Sequence, residues 1–541
     1  LKMVQGGIML VGTVSDERYV AIPDVSVELE QNGVSVARVR SSARGGIYAE
    51  VPPGRYRVTL ARDGYGAKSV EVDVAEGHPH AFRLLSDGLL GYMWPKWVRS
   101  GERSEFRVHS VKPYHLSLWR YGLEKELVRP IGWFDEHGPR ATMQITPDGD
   151  YTQTGVQWNR QGYGSPHHTQ FVAGPERSGL YYLHAETEDG DFFSFPWIVA
   201  PARPRAPIAV LASTNTWNAY NNFGGRSNYI NATGLPPQPT VNARLDLVRY
   251  QQAGTYNEWQ FEDERYQPLS FERPEPFNHV PRETRATDPI RGRQECHLAP
   301  AEWRLLAWLE REGFAYDLYS EYQLHVGDLD LDAYQIVILS VHPEYWSRAM
   351  YQRLKDWVYN RGGRLMYLGG NGLNCEIEIL DDRTMKFNTQ VPEATGPDGR
   401  ARYESRFHRR VESEANLLGV VFTEAGIMTA APYQVVNGDH WIFAGTGLQN
   451  GDTFGEASLH ERIPGGASGH ETDKMSPSSP ANTVLLAKGL NPEDGGAHMV
   501  YYETQSGGAV FSVGSITYPA CLLVDTQVSR ITANVITRFL T

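Results

Sequence analysis

The hydrophobic period of this chain changes once, near residue 200, and that change limits what it can fold into. Before it, apolar and polar residues alternate, as in Val25-Ser26-Val27-Glu28-Leu29 and Tyr56-Arg57-Val58-Thr59-Leu60. A period of two, punctuated by Pro-Pro-Gly and Asp-Gly, predicts short antiparallel strands. After it, continuous apolar runs such as Ile208-Ala209-Val210-Leu211-Ala212 and the segment Tyr334 to Ser340 read as buried strands. Between them lie helical stripes: Trp303, Leu305, Leu306, Trp308 and Leu309, then Met350, Leu354, Trp357 and Val358. This βαβ rhythm predicts a mainly parallel sheet covered by helices. The junction, Pro201-Ala202-Arg203-Pro204-Arg205-Ala206-Pro207, reads as a stiff linker.

A chain of 541 residues is too long for one core, and the pattern divides it at 7–86, 87–200 and 208–541. The expected fold class is multidomain, two N-terminal antiparallel β-sandwich domains followed by an α/β domain with a mainly parallel sheet. The 7–86 pattern resembles the small transthyretin-like sandwich of carboxypeptidase regulatory domains, a likeness that carries fold and no chemistry. In 87–200, alternating runs such as Tyr114 to Arg120 and Gly179 to Ala185 predict a second sandwich. Irregular stretches at about 223–298 and 433–480 interrupt the third unit, and loops this long inside compact domains are commonly functional.

A net charge of −13 argues against a nucleic-acid partner, which needs a basic surface to displace counterions. It argues equally against a polybasic membrane patch, and no apolar run approaches the ~20 residues that cross a bilayer. Three cysteines, Cys296, Cys375 and Cys521, make no disulfide framework. With no signal-peptide pattern in Leu1 to Leu10, they point to a cytoplasmic setting. GxGxxG opening a helix, GxxxxGK[ST], HExxH, GxSxG before a helix and CxxC are all absent.

Chemistry concentrates where strands end. The run Tyr334 to Ser340 leads into Val341-His342-Pro343-Glu344-Tyr345-Trp346-Ser347, and the strand at Arg364 to Leu368 ends in Gly369-Gly370-Asn371-Gly372. Open α/β sheets bind ligands at the carboxyl ends of their strands. His342 and Glu344, two apart on an extended turn, can face one cavity, Glu344 as a hard oxygen ligand and His342 beside it. On spacing alone a second reading stands, in which Glu344 caps the following helix and His342 packs in the core. Tyr220 and Tyr266, taken singly, read as packed rings, Asn371 as a left-handed turn residue, and Glu471 as a solvated loop carboxylate.

Six strings in order, STNTWNAYNNFGG, ERYQPLSFERP, SVHPEYWS, YLGGNG, ASGHETD and VFSVGSITY, resemble the large-subunit family of N,N-dimethylformamidase over roughly 90–541. HPEYWS and GGNG are the most specific of them. The resemblance implies an α/β domain like a glutamine-amidotransferase sheet without its cysteine nucleophile. It also implies one Fe3+ ion held by Tyr220, Tyr266 and Glu344, with Tyr256 a competitor for the second tyrosine. His342, Asn371 and Glu471 would form the catalytic shell.

The implied chemistry is hydrolysis of a small N-substituted amide. Glu471 would act as general base, and His342 and Asn371 would orient the carbonyl and stabilise its oxyanion. Trp217, Phe223 and Trp346 are expected to form an apolar wall for N-alkyl groups. The expected assembly is a homo-oligomer, or a complex with a separate small subunit of the kind the family uses. Two other readings stay open: a zinc- or manganese-dependent hydrolase of another small substrate, and a non-catalytic carbohydrate- or protein-binding module.

Overall fold

The computed structural model describes residues 7–134, 146–156, 170–241, 261–291, 296–390 and 402–541. Tyr256 lies outside the described residues. The first strands form a three-stranded sheet, with Ile8–Ser15 between Gly46–Glu50 and His80–Arg83. Facing it is a four-stranded sheet in the order Val34–Arg40, Ser26–Gln31, Gly54–Ala61, Lys68–Val74. Strand alternation puts Tyr56, Val58 and Leu60 inside, where they meet Val27, Leu29 and Val14. Leu29 and Val58 are paired in register, so one slip would turn this whole face to water.

The next unit is also two-layered. The sheet Phe171–Ala173, Arg103–Ser110, Leu89–Trp94 faces a five-stranded one running Lys125–Phe134, Tyr114–Tyr121, Gly179–Thr187, Phe192–Ala200, Trp97–Arg99. Phe106, Val108, Leu116, Leu183, Phe195 and Trp197 fill the space between the two sheets. Arg83 ties the first unit to the other two: fully buried, its guanidinium donates to the carbonyls of Asp16, Gly149 and Gly224 and to the Tyr151 hydroxyl. Gly224 lies four residues past Tyr220, so the N-terminal sandwich braces the loop behind that tyrosine.

The last unit holds a nine-stranded sheet. Its order is Tyr316–Ser320, Ile208–Ala212, Ile336–Val341, Arg364–Gly369, Ala509–Ser512, His498–Glu503, Val484–Gly489, Tyr433–Val435, Thr453–Phe454. Strands Ile208–Ala212 and Ile336–Val341 are buried at every residue, as parallel strands covered on both faces must be. Ile336 and Ile338 pack with the helices Ala299–Arg311 and Thr526–Leu540, while Val337 and Leu339 pack with Arg348–Asn360.

The mainly parallel sheet expected from the pattern is corrected in its second half. The first five strands are parallel, and the remaining four pairings are antiparallel. The connections Leu490 to Ala497 and Thr504 to Gly508 are too short for a crossover helix, so those strands must fold back on their neighbours. Within the parallel half, the chain leaves Ile208–Ala212 to one side for Tyr316–Ser320 and returns on the other for Ile336–Val341. That reversal opens a crevice at the carboxyl ends of Ile208–Ala212 and Ile336–Val341.

Candidate active site

At the crevice the strand Ile336–Val341 passes into sharply turned backbone, while Ile208–Ala212 leads directly into the helix Thr214–Tyr220. Val341, a β-branched residue, is held at φ 42°, a conformation that only surrounding structure can impose. The Glu344 amide then donates to the His342 carbonyl at 2.9 Å, an i to i+2 closure centred on Pro343, whose ring suits that turn. Thr216 clamps the turn: its hydroxyl donates to the His342 carbonyl at 2.7 Å and accepts from the Glu344 amide at 3.2 Å. Thr216 sits on the helix Thr214–Tyr220, which starts directly after strand Ile208–Ala212, so one helix both fixes the turn and presents Tyr220.

The helix-cap reading of Glu344 does not hold. Ser347 caps Arg348–Asn360 by accepting from the Met350 amide, which leaves the Glu344 carboxylate facing the crevice. Its Oε2 accepts from the Tyr229 hydroxyl at 3.1 Å and from the Tyr220 hydroxyl at 3.4 Å. Tyr229 and Tyr345 share a 2.7 Å hydrogen bond, and Asn228 donates to Tyr345 at 2.6 Å. Three phenols therefore crowd one carboxylate. Burial, then the Glu344 charge, pushes the Tyr229 and Tyr345 phenols well above their ordinary range.

On the other side of Glu344 stands His342, whose Nε2 is 3.3 Å from Glu344 Oε2 and 3.3 Å from Glu471 Oε2. Burial opposes charge on the imidazole, but the two carboxylates outweigh it and raise its pKa. Burial alone would raise Glu471 as well, and contact with His342 instead holds it well below the usual carboxylate range. Burial dominates at Glu344 and moves it upward.

Asn371 completes this side, donating from Nδ2 to Glu471 Oε2 at 2.8 Å. Its backbone is left-handed at φ 48°, as the turn reading expects, and its amide donates to Asp473 at 2.9 Å. Gly370 is required by close approach, since a Cβ there would lie 2.5 Å from the Glu471 carbonyl. Asp473 also accepts from Tyr367, and burial lifts its pKa to about 7. Glu471 itself sits in a tight turn between two short antiparallel pairings, Ala430–Ala431 with Ser468–Gly469 and Val421–Thr423 with Thr472–Lys474. Tyr220 and Glu471 are the members of the set that solvent reaches.

Tyr220, Glu344, His342, Asn371 and Glu471 thus come together. Tyr266 is buried at 1% exposure with its ring 6.4 Å edge-on from Phe261, and the described phenol hydrogen bonds to Glu344 come from Tyr220 and Tyr229. The expected apolar wall does not form. Trp217 packs in one core and donates to Glu302, Phe223 packs near Tyr151, and Trp346 is wholly buried on the opposite face of the sheet. Trp217 and Trp346 fit inner positions of their elements, which is why size and aromaticity alone misplaced them.

Sequence reasoning passed over Tyr229, Tyr345 and a second cluster. One ligand atom from each of Cys296, His297 and His470 lies within 4.8 Å of the others, a group able to coordinate a metal. His470 is kept neutral by burial, its pKa pushed down to about 3. The adjacent Cys296-His297 pair before a helix, and His470 beside Glu471, were the available signals.

Residues 9–84 match the carboxypeptidase regulatory-like domain. The chain is 26% identical to the N,N-dimethylformamidase beta subunit of Paracoccus aminophilus over 505 residues, covering 77% of this chain and 62% of that protein. It is 24% identical to the corresponding subunit of Alcaligenes sp. over 461 residues, covering 71% and 58%. The chain therefore spans about three fifths of the length of these curated relatives. Among solved structures, the cold-adapted beta-galactosidase from Rahnella sp. R3 overlaps at a TM-score of 0.27 and 13% identity, over 46% of this chain and 29% of that one, too little to carry an argument. Residues 132–530 match the N,N-dimethylformamidase beta subunit-like, C-terminal model, and the chain belongs to that family.

Proposed function

We propose that the chain is an Fe3+-dependent amide hydrolase that cuts the C–N bond of a small N-substituted amide, such as an N-alkylformamide, to acid and amine. Tyr220, Tyr266 and Glu344 would hold the ion. The observation that carries this reading is the convergence of phenol hydroxyls on one buried oxygen of Glu344, beside a histidine bridging two carboxylates. The donor types suit a ferric ion: phenolate and carboxylate are hard anionic oxygens, and two phenolates with one carboxylate balance three positive charges. The phenols on Glu344 are those of Tyr220 and Tyr229, so Tyr266 enters the set on the family resemblance. When bound, the ion supplies Lewis acidity toward an amide carbonyl and toward water.

The chain's own residues supply the rest. Glu471, reached by solvent and already paired with His342, would take a proton from water and return it to the leaving amine. His342 Nε2 and Asn371 Nδ2 would donate toward the carbonyl oxygen as negative charge develops there. The turn backbone at Val341, Asn371 and His470 holds these groups before substrate arrives, so little reorganisation is left for the chemical step. The same reading expects a homo-oligomer, or a complex with a separate small subunit, in the cytoplasm. It also takes the parallel half of the sheet as glutamine-amidotransferase-like.

The test is metal content with a visible spectrum on protein purified without added metal. About one iron per chain with a phenolate-to-iron charge-transfer band is expected. Full iron occupancy without that band overturns the tyrosine ligands.

Tyr266 and Tyr229 are separated by single substitutions. Tyr266→Phe is expected to shift or abolish the band and to release iron. Tyr229→Phe should keep the band and slow turnover about tenfold through loss of one hydrogen bond to a charged group. The reverse pattern, read by spectrum and iron assay, transfers the second ligand to Tyr229.

A further inference from the structure

Beside the oxygen-rich pocket lies a group of different chemistry. Cys296 Sγ is 3.2 Å from His297 Nδ1 and 3.6 Å from His470 Nδ1, and the three residues are 1%, 1% and 3% exposed. In a tetrahedral zinc site, Zn–S of about 2.3 Å and Zn–N of about 2.0–2.1 Å put sulfur and nitrogen about 3.5 Å apart. The two S···N separations bracket that value. No pair among the three ligand atoms exceeds 4.8 Å, so closure about an ion needs only small ring movements.

We infer that Cys296, His297 and His470 form a second cation site, for a thiophilic divalent ion of the Zn2+ class, adjoining the oxygen-lined pocket but distinct from it. A soft thiolate with two imidazoles selects zinc-like ions, whereas phenolates and a carboxylate select a hard trivalent one. The His297 ring is the partition. It meets Tyr220 edge-on with centroids 4.5 Å apart, and its centroid lies 5.4 Å from that of His342 and 5.4 Å from that of His470. Three protein donors leave the fourth position of the tetrahedron for water or a further ligand.

The placement gives the ion a structural consequence. Cys296 and His470 are 174 positions apart in the chain. Cys296 and His297 immediately precede the helix Ala299–Arg311, and His470 occupies the Glu471 turn. An ion there would clip the start of that helix to the turn of Glu471, the proposed general base, and hold His297 against Tyr220.

The test uses the full-length protein after chelation, titrated with Co2+ as a spectroscopic stand-in for zinc. The expected result is a near-ultraviolet thiolate-to-cobalt charge-transfer band that saturates and is bleached by Zn2+. Cys296→Ser should abolish the band, and His470→Gln should weaken Co2+ binding at least about tenfold. Glu344→Gln should leave the band intact, which separates this site from the phenol pocket. No thiolate band in the unsubstituted protein overturns the proposal, and that outcome needs no variant to fold. A band that survives Cys296→Ser overturns the ligand assignment, and one lost with Glu344→Gln overturns the independence of the two sites. The phenolate-to-iron band is separate from this signal, so failure here leaves the iron reading standing.

Discussion

Glu344→Ala is expected to release the proposed iron and lower turnover with it, by on the order of 10³-fold or more, because the proposed chemistry depends on charge stabilisation at that position. The fold should survive the change. The turn is held through the backbone: the Glu344 amide donates to His342 and Thr216, and its carbonyl accepts from the Cys375 amide at 3.0 Å. Alanine keeps all three bonds. What it removes is the oxygen on which the Tyr220 and Tyr229 hydroxyls converge, together with one of the two carboxylates facing His342. Iron per chain, the visible band and the rate on an N-alkylformamide are measured on the same sample, with a thermal melt to verify folding. Full iron occupancy in Glu344→Ala would falsify its role as a ligand.

The elements that frame this site were legible because their burial is periodic. Ile336 and Ile338 on one face and Val337 and Leu339 on the other make a continuous apolar run, and the stripe through Met350, Leu354 and Trp357 marks the helix behind it. The strand ends followed from that pattern, and with them His342, Glu344 and Asn371. Tyr229 was not legible. It reaches Glu344 through a turn in which the Ser227 hydroxyl accepts from the Tyr229 and Ile230 amides and Asn228 donates to the Ala219 carbonyl. Such side-chain-closed loops have no period, and the partner that fixes this one lies on a different element. Cys296, His297 and His470 were hidden for the same reason, since their proximity is created only when two irregular segments pack together. The antiparallel half of the sheet was readable in principle from its connection lengths. Short apolar runs alone do not give strand direction.

Glu471→Gln is expected to retain iron and lose turnover, by about 10² to 10⁴-fold, the usual contribution of a positioned base. The substitution is nearly isosteric. A glutamine carbonyl oxygen can still accept from Asn371 Nδ2, so the turn between Gly469 and Thr472 keeps its anchor. The lost properties are the negative charge 3.3 Å from His342 Nε2 and the capacity to carry a proton. The described partners of the Glu471 carboxylate are His342 and Asn371, neither of them a proposed ligand, so metal occupancy has no direct reason to fall. If Glu471 acts only as the reaction proceeds, kcat and kcat/KM should drop together while KM stays near its original value. A rise in KM with kcat preserved would instead make Glu471 a binding group. Near-normal values of both would pass the base to another carboxylate. Asp473 is the first to test, because it already braces Asn371 from the opposite side and burial brings its pKa to about 7, where a proton can be both taken and returned.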